Sequence, residues 1–375
     1  SESMKGVQSR VSTSSPKARE HVRQGFALVH AQWNFEAYRH FSAALAIDPE
    51  CIMAYAGVTL ALIQPFNEYA DYRRAAVLRM LDMSDADKAG IKQGRKACFS
   101  ESERGFVDAI AALVSQNPES AGDMLLKVAK DDPRFIQAKM IAVFLNRGGY
   151  NVANEPSQKR LDALKETQRL MEEYPDNWMV LGFWLMLNAE APFSVLNIKE
   201  EILPHARYLT KKCPDIPTWQ HALGHFEWRA GNYLLAERAF ERAIKLYEKW
   251  MQREGVELND CEGYVKSKCY LANTLFQRDD FSGAMKVAMS LRGLKSDPAR
   301  PQSAGNQIIL WRAYHLPARL YIARDDRENR AMALGSLPPR EEIEAFVNHP
   351  KFPTLAGVYI EALAAYIASR KAIDD

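Results

Sequence analysis

The chain has 375 residues, with Lys plus Arg at 49 against Asp plus Glu at 47 and a net charge of +2. A balance this close to zero gives no electrostatic case for nucleic acid or for an anionic membrane. The longest strongly apolar run, WMVLGFWLML, is about half of the roughly 20 residues needed to cross a bilayer, so no membrane-spanning segment is expected.

The opening SESMKGVQSRVSTSSPK is polar and Ser-rich, and residues 1–16 are expected as a flexible segment. Beyond Pro16 the pattern is helical, without the period-two alternation of a sheet. A hairpin is predicted over about 17–47 with its turn near Gln32 to Asn34, then a helix over about 51–63. One or two short polar helices follow over 68–98, with Ser84 and Asp85 as candidate caps. Next come a hairpin at 102–130, helices near 134–146 and 157–173, and pairs at 177–188 with 198–213 and at 216–250. A hairpin at 263–293 and helices near 305–315 and 318–325 precede a turn at Pro338 and Pro339, and a last helix is expected at 353–371. No linker rich in Pro, Gly and Ser divides the interior, so a single domain is expected over 17–375.

One spacing recurs through these helices. Gly25, Ala37, Phe41, Ala44 and Pro49 stand at intervals of 12, 4, 3 and 5 residues, and Ala109, Ala121, Leu125, Val128 and Pro133 repeat all four. Gly224, Ala236, Phe240 and Ala243 repeat the first three intervals, as do Ala272, Ala284, Ala288 and Leu291. Two antiparallel helices approach closely where a small residue faces its partner, and the steps of four and three keep one face of the second helix inward. Pro49 and Pro133 then stop that helix. The unit is a helical hairpin.

The segment WQHALGHFEWRAGNYLLAERAFERAI carries Leu223, Gly224, Gly231, Tyr233, Ala236, Phe240 and Ala243 in an order that resembles the tetratricopeptide repeat family. Trp178, Leu181 and Gly182 give a further W-x2-L-G. From Gly25 to Ala109, Gly224 and Ala272 the steps are 84, 115 and 48 residues, none a multiple of the family's repeat length, so insertions are expected. Their expected places are residues 65–100, 146–157, 188–197 and 252–263. The resemblance implies an all-α, α-α superhelix, a solenoid of antiparallel helical hairpins whose repeats need only their neighbours for a core.

In that family the first helix of each hairpin lines a concave surface. The resemblance places there Thr218, His221, His225, Trp228 and Arg229, then Lys266, Cys269, Asn273, Phe276 and Gln277, and in the first hairpin Arg19, Val22, Phe26, Val29 and His30. Directional polar groups beside aromatic area suit recognition, so His221, His225, Trp228, Arg229, Asn273, Phe276 and Gln277 are the candidate ligand-binding residues. Some family members hold a peptide's terminal carboxylate with Lys and Asn; Asn273 matches one such place, but Cys269 stands where Lys is expected. The equivalent residues after Trp178, namely Met179, Phe183, Met186 and Leu187, are apolar and are expected to pack beneath an inserted helix. Trp311, Arg312, Tyr314 and His315 form another aromatic and polar cluster, read first as core and second as an extension of the groove.

His221 and His225 are four apart and share a helix face, but no Glu lies between them and no third ligand is indicated, so no metal is expected. Five cysteines, Cys51, Cys98, Cys213, Cys261 and Cys269, are scattered without a CxxC pair; most read as buried thiols, with a Cys261–Cys269 disulfide as the alternative. No nucleophile elbow, P-loop or dinucleotide fingerprint is present, so no enzyme and no cofactor are expected. The expected function is a scaffold that binds a protein or peptide partner in its groove. The alternative is a surface or periplasmic glycan-binding lipoprotein with Trp228, Phe276 or Trp311 stacking on sugars. Residue 1 is Ser rather than Met, and the expectation is that the native start, with any signal peptide or lipid-anchor cysteine, has been removed. Cytoplasmic and periplasmic or surface-anchored locations carry near-equal weight.

Overall fold

A computed structural model describes residues 10–63, 67–115, 117–189, 191–192, 197–294, 297, 299–300, 303–313, 315–324, 327–337, 341, 362–369 and 372. Among these the secondary structure is helical, and the β-type pairing is a single isolated bridge between Tyr150 and Pro156. Packing divides the chain into two compact units, residues 1–65 with 69–213 and residues 66–68 with 214–375, where the sequence reading draws one domain over 17–375.

The first unit holds α1 (Pro16–His30), α2 (Asn34–Ile47), α3 (Ile52–Ala61), α4 (Ala70–Lys92), α5 (Glu101–Val114), α6 (Pro118–Asp131), α7 (Ile136–Leu145), α8 (Gln158–Glu173), α9 (Trp178–Asn188) and α10 (Leu203–Lys212). The second holds α11 (Pro217–Arg229), α12 (Tyr233–Glu254), α13 (Glu262–Gln277), α14 (Phe281–Arg292), α15 (Ala304–Ile308), α16 (Leu316–Ile322) and α17 (Arg327–Gly335). Consecutive helices pack on each other, as in α1 on α2, α5 on α6, α11 on α12 and α13 on α14, while α15 packs back on α13 and α14 on α16. The all-α class and the helical-hairpin unit expected from the spacing are what the structure has.

Local chemistry sets the helix starts. Ser15 accepts from the Ala18 N–H with Pro16 at the first helical position, and Asn117 with Pro118 does the same for α6. Ser100 and Glu103 form a reciprocal capping box at α5. Glu103 is fully buried, and its carboxylate also accepts the backbone N–H and the hydroxyl of Ser12, both at 2.6 Å. Arg10 reaches Asp132 at 2.7 Å. Residues 10–15 of the expected flexible segment are therefore held by buried or half-buried carboxylates, and residues 1–9 lie outside the described residues.

The small residues of the repeat act as the spacing predicts. A Cβ added to Gly25 would stand 2.6 Å from the Phe41 ring, and one added to Gly224 would stand 2.7 Å from the Phe240 ring. Ala37, Phe41, Ala44, Ala121, Leu125, Val128, Ala236, Phe240, Ala243, Ala284, Ala288 and Leu291 are all buried.

Four local expectations are corrected. Residues 70–92 form one continuous helix, because no Gly or Pro interrupts 70–89 and Ser84 faces inward, fully buried, instead of capping a break. Residues 198–202 and 309–313 wind as π-helical turns before α10 and α16, so neither predicted helix is regular throughout. α17 follows α16 where no helix was anticipated, packed on it around Ala318, Ala333 and Tyr321. The Cys261–Cys269 alternative is absent: all five cysteines are free thiols, four of them buried. Of the last predicted helix, 362–369 is helical, while 353–361, Pro338 and Pro339 lie outside the described residues.

Candidate functional site

Three elements of the second unit converge on a depression of about 510 Å³. α11 contributes His225 and Trp228, α13 contributes Tyr270, Asn273, Phe276 and Gln277, and the stretch from the π-helical turn through α16 contributes Arg312, His315, Arg319, Leu320 and Ala323. Positions 270, 273, 276 and 277 lie three and four apart, which puts them on one face of α13. The opposite face of α13 carries Val265, Ala272 and Leu275 into the core, and this anchors the lining.

Five of the seven candidate residues, His225, Trp228, Asn273, Phe276 and Gln277, therefore line one depression. His221 is not part of the lining. Its ring packs on Phe240 at 5.3 Å and Tyr270 at 5.0 Å, and its Nδ1 lies 2.9 Å from Ser267 Oγ. Ser267 spends its own proton on the Gly263 carbonyl at 2.7 Å, so His221 Nδ1–H is the donor to Ser267. Burial, reinforced by Lys266, His225 and Arg312, holds His221 well below the usual imidazole range. It packs edge-on against the ring of Tyr270, which does line the depression. Arg229, half-buried in the last turn of α11, also stands outside the lining.

The other groove positions divide sharply. Val22, Phe26 and His30 of the first hairpin, expected on a concave surface, are buried. Phe26 stacks edge-on against Phe41 at 5.1 Å and against Phe106 of α5 at 5.8 Å, so this face is core. Cys269 is buried as well, its thiol pushed up to about 12, chiefly by burial. Of the four apolar positions after Trp178, Met179, Phe183 and Leu187 are buried and Met186 is half-buried, because α9 is apolar all round and packs against α1, α7, α8 and α10.

Arg312 and His315, read first as core, line the depression; the Trp311 side chain and Tyr314 lie outside the described residues. Sequence reasoning missed Tyr270, Arg319, Leu320 and Ala323. The signal for Arg319 was the step of four from His315, continuing the step of three from Arg312. His315 is almost wholly buried, and burial first, then Arg319 and Arg312, lowers it to about 3, so it is neutral near neutral pH. Arg312 lies over the Tyr270 ring at 5.6 Å. None of the lining residues is acidic and none is a cysteine. Among the described residues no group of three or more His, Cys, Asp and Glu is placed to hold a metal ion, and no helix is long and apolar enough to cross a membrane.

No family model and no curated protein matches the sequence. Among solved structures, the crystal structure of the P58(IPK) TPR domain is similar over 94% of this chain and 98% of that chain, at 12% identity and a TM-score of 0.20. A score that low adds nothing to the fold, which rests on the packed helical hairpins themselves.

Proposed function

We propose that this chain is a non-catalytic helical-repeat scaffold that takes a protein or peptide partner in the depression formed by α11, α13 and α16. The observation that supports the reading is the convergence of Trp228, Tyr270 and Phe276 with the amides of Asn273 and Gln277 on helices anchored in the core. Aromatic area supplies contact energy at low entropic cost, and the amides supply directional hydrogen bonds. The lining offers no carboxylate or thiol as a nucleophile, and His315, held neutral at about 3, is a poor base near neutral pH. Preformed shape is what the site offers.

The test is an affinity capture that compares the intact protein with His225→Ala/Trp228→Ala/Asn273→Ala, folded by circular dichroism. Proteins retained by the intact bait and lost by the variant support the reading. Equal retention by both removes the depression as the binding site. Capture of no protein, with Trp fluorescence quenched by an oligosaccharide, moves the glycan-binding alternative ahead.

A further inference from the structure

The charges of this depression are unbalanced, and that imbalance specifies its ligand. Arg312 and Arg319 both line it, no acidic residue does, and among the described residues neither guanidinium has a carboxylate partner. Other arginines of this chain sit against carboxylates: Arg79 pairs with Glu50 at 2.6 Å, Arg104 with Asp87 at 2.6 Å, and Arg300 with both Glu68 and Asp260 at 2.7 Å. The larger depression of the first unit, about 850 Å³, differs in composition, since its lining mixes Arg79, Arg95 and Lys96 with Asp48, Glu50, Asp82 and Asp87, and Arg79 pairs there with Glu50. Asn273 and Gln277 add amide donors, and the Trp228 Nε1–H has no acceptor among the described residues. Two positive charges face a space whose acceptors, the Asn273 and Gln277 amide oxygens, the Tyr270 hydroxyl and the imidazole of His315, are all neutral.

We infer that the depression selects a peptide segment carrying an Asp or Glu side chain beside an apolar one, with the Arg312 and Arg319 guanidiniums reading the carboxylate. This rests on the partner-binding reading above and adds the charge class of the partner. Planar guanidiniums match a carboxylate fork, and a partly desolvated wall of Trp228, Phe276 and Leu320 strengthens that pairing while it accepts the apolar neighbour. A simple inorganic anion would engage the arginines alone and leave the aromatic part of a 510 Å³ space unused. The low position of His315 has the same origin in part, because the two guanidiniums raise the local potential.

The test selects phage-displayed random dodecapeptides against the intact protein, then measures synthetic versions of the selected peptides by fluorescence anisotropy. The expected pool is enriched in Asp and Glu next to aromatic or aliphatic residues. Affinity should fall at least about tenfold in Arg312→Gln/Arg319→Gln, fall similarly when the peptide acid becomes its amide, and weaken as ionic strength rises. Arg319→Gln alone, at an exposed position, should give a smaller loss in the same direction and guards against a folding defect in the double variant. Peptides that require Trp228 but are neutral or basic, and that bind the arginine variants equally, overturn the charge assignment and leave the groove standing. Failure to select any peptide that depends on Trp228 or His225 overturns both.

Discussion

The hairpins α1–α2 and α11–α12 are one design with two outcomes. Their register is fixed by Gly25 with Phe41 and Gly224 with Phe240, so Val22 corresponds to His221, Phe26 to His225 and Val29 to Trp228. The small-to-aromatic contact is the same in both, with an added Cβ 2.6 Å from one ring and 2.7 Å from the other. The faces diverge one turn after Val22 and His221, at Phe26 and His225. Phe26 is sealed between Phe41 and Phe106, whereas His225 touches Tyr270 at 5.8 Å and opens on the depression. The repeat residues specify how two helices pair; the residues contributed by the next helices decide whether the remaining face becomes core or binding surface.

The largest effect should come from breaking that contrast at its register mates. Phe26→Ala removes a fully buried aromatic ring and should cost about 3–5 kcal/mol, while His225→Ala should cost under about 1 kcal/mol and act on binding instead. Urea unfolding of the two variants measures both. Comparable losses of stability would show that the α11 face is core like its counterpart.

Acidification sharpens the comparison from the other side. His30 is buried with its Nε2 unpartnered, and burial lowers it to about 4 from an ordinary 6.5. A histidine depressed in the folded state binds its proton first in the unfolded chain, so its contribution is complete above about pH 6.5 and is lost as pH falls toward 4. The loss should amount to about 3 kcal/mol at most. His30→Leu should flatten the pH dependence of the urea midpoint between these limits; an unchanged slope would assign it to other groups.

At the close helix contact, Gly224→Ala should destabilise by about 1–3 kcal/mol, because the Phe240 ring must shift to admit the new methyl group. Gly57→Ala sharpens the same point in the first unit, where the added Cβ would overlap the same Phe41 ring that Gly25 faces and should destabilise at least as much. Thermal unfolding of each variant tests whether both small residues are held by the same ring contact.

The hairpins were legible because their determinants are local and periodic: a small residue, a 12-residue step, and an inward face that ends at a proline. Trp228, Asn273 and Phe276 could be placed by register once the hairpins were found. What escaped depends on non-local packing. The burial of Phe26 is decided by Phe106, 80 residues later in the chain, and no pattern within α1 announces it. Arg319 escaped because the π-helical turn at 309–313 and the shortness of α16 break the repeat spacing that located the other residues. Ser84 resembled a cap because its hydroxyl suits one, but a buried site inside α4 uses it as a small residue.

The smallest effect lies in the turns, where the register again pairs unlike residues. Gln32 in the first hairpin, Gly231 in the α11–α12 hairpin and Asp279 in the α13–α14 hairpin occupy the same repeat position, and all three have positive φ, at 57°, 80° and 64°. The left-handed conformation belongs to the repeat, since only there can the chain reverse within two or three residues. Glycine meets it without strain, and Asp tolerates it through its short polar side chain, but Gln has neither advantage. Gln32→Gly should therefore raise stability by up to about 1 kcal/mol, the relief of backbone strain being partly offset by a more disordered unfolded chain. Gly231→Ala should lower it by a similar amount. Opposite signs in the two melting temperatures would show that one backbone requirement governs both turns, while equal signs would mean that the Gln32 side chain contributes contacts outweighing the strain it carries.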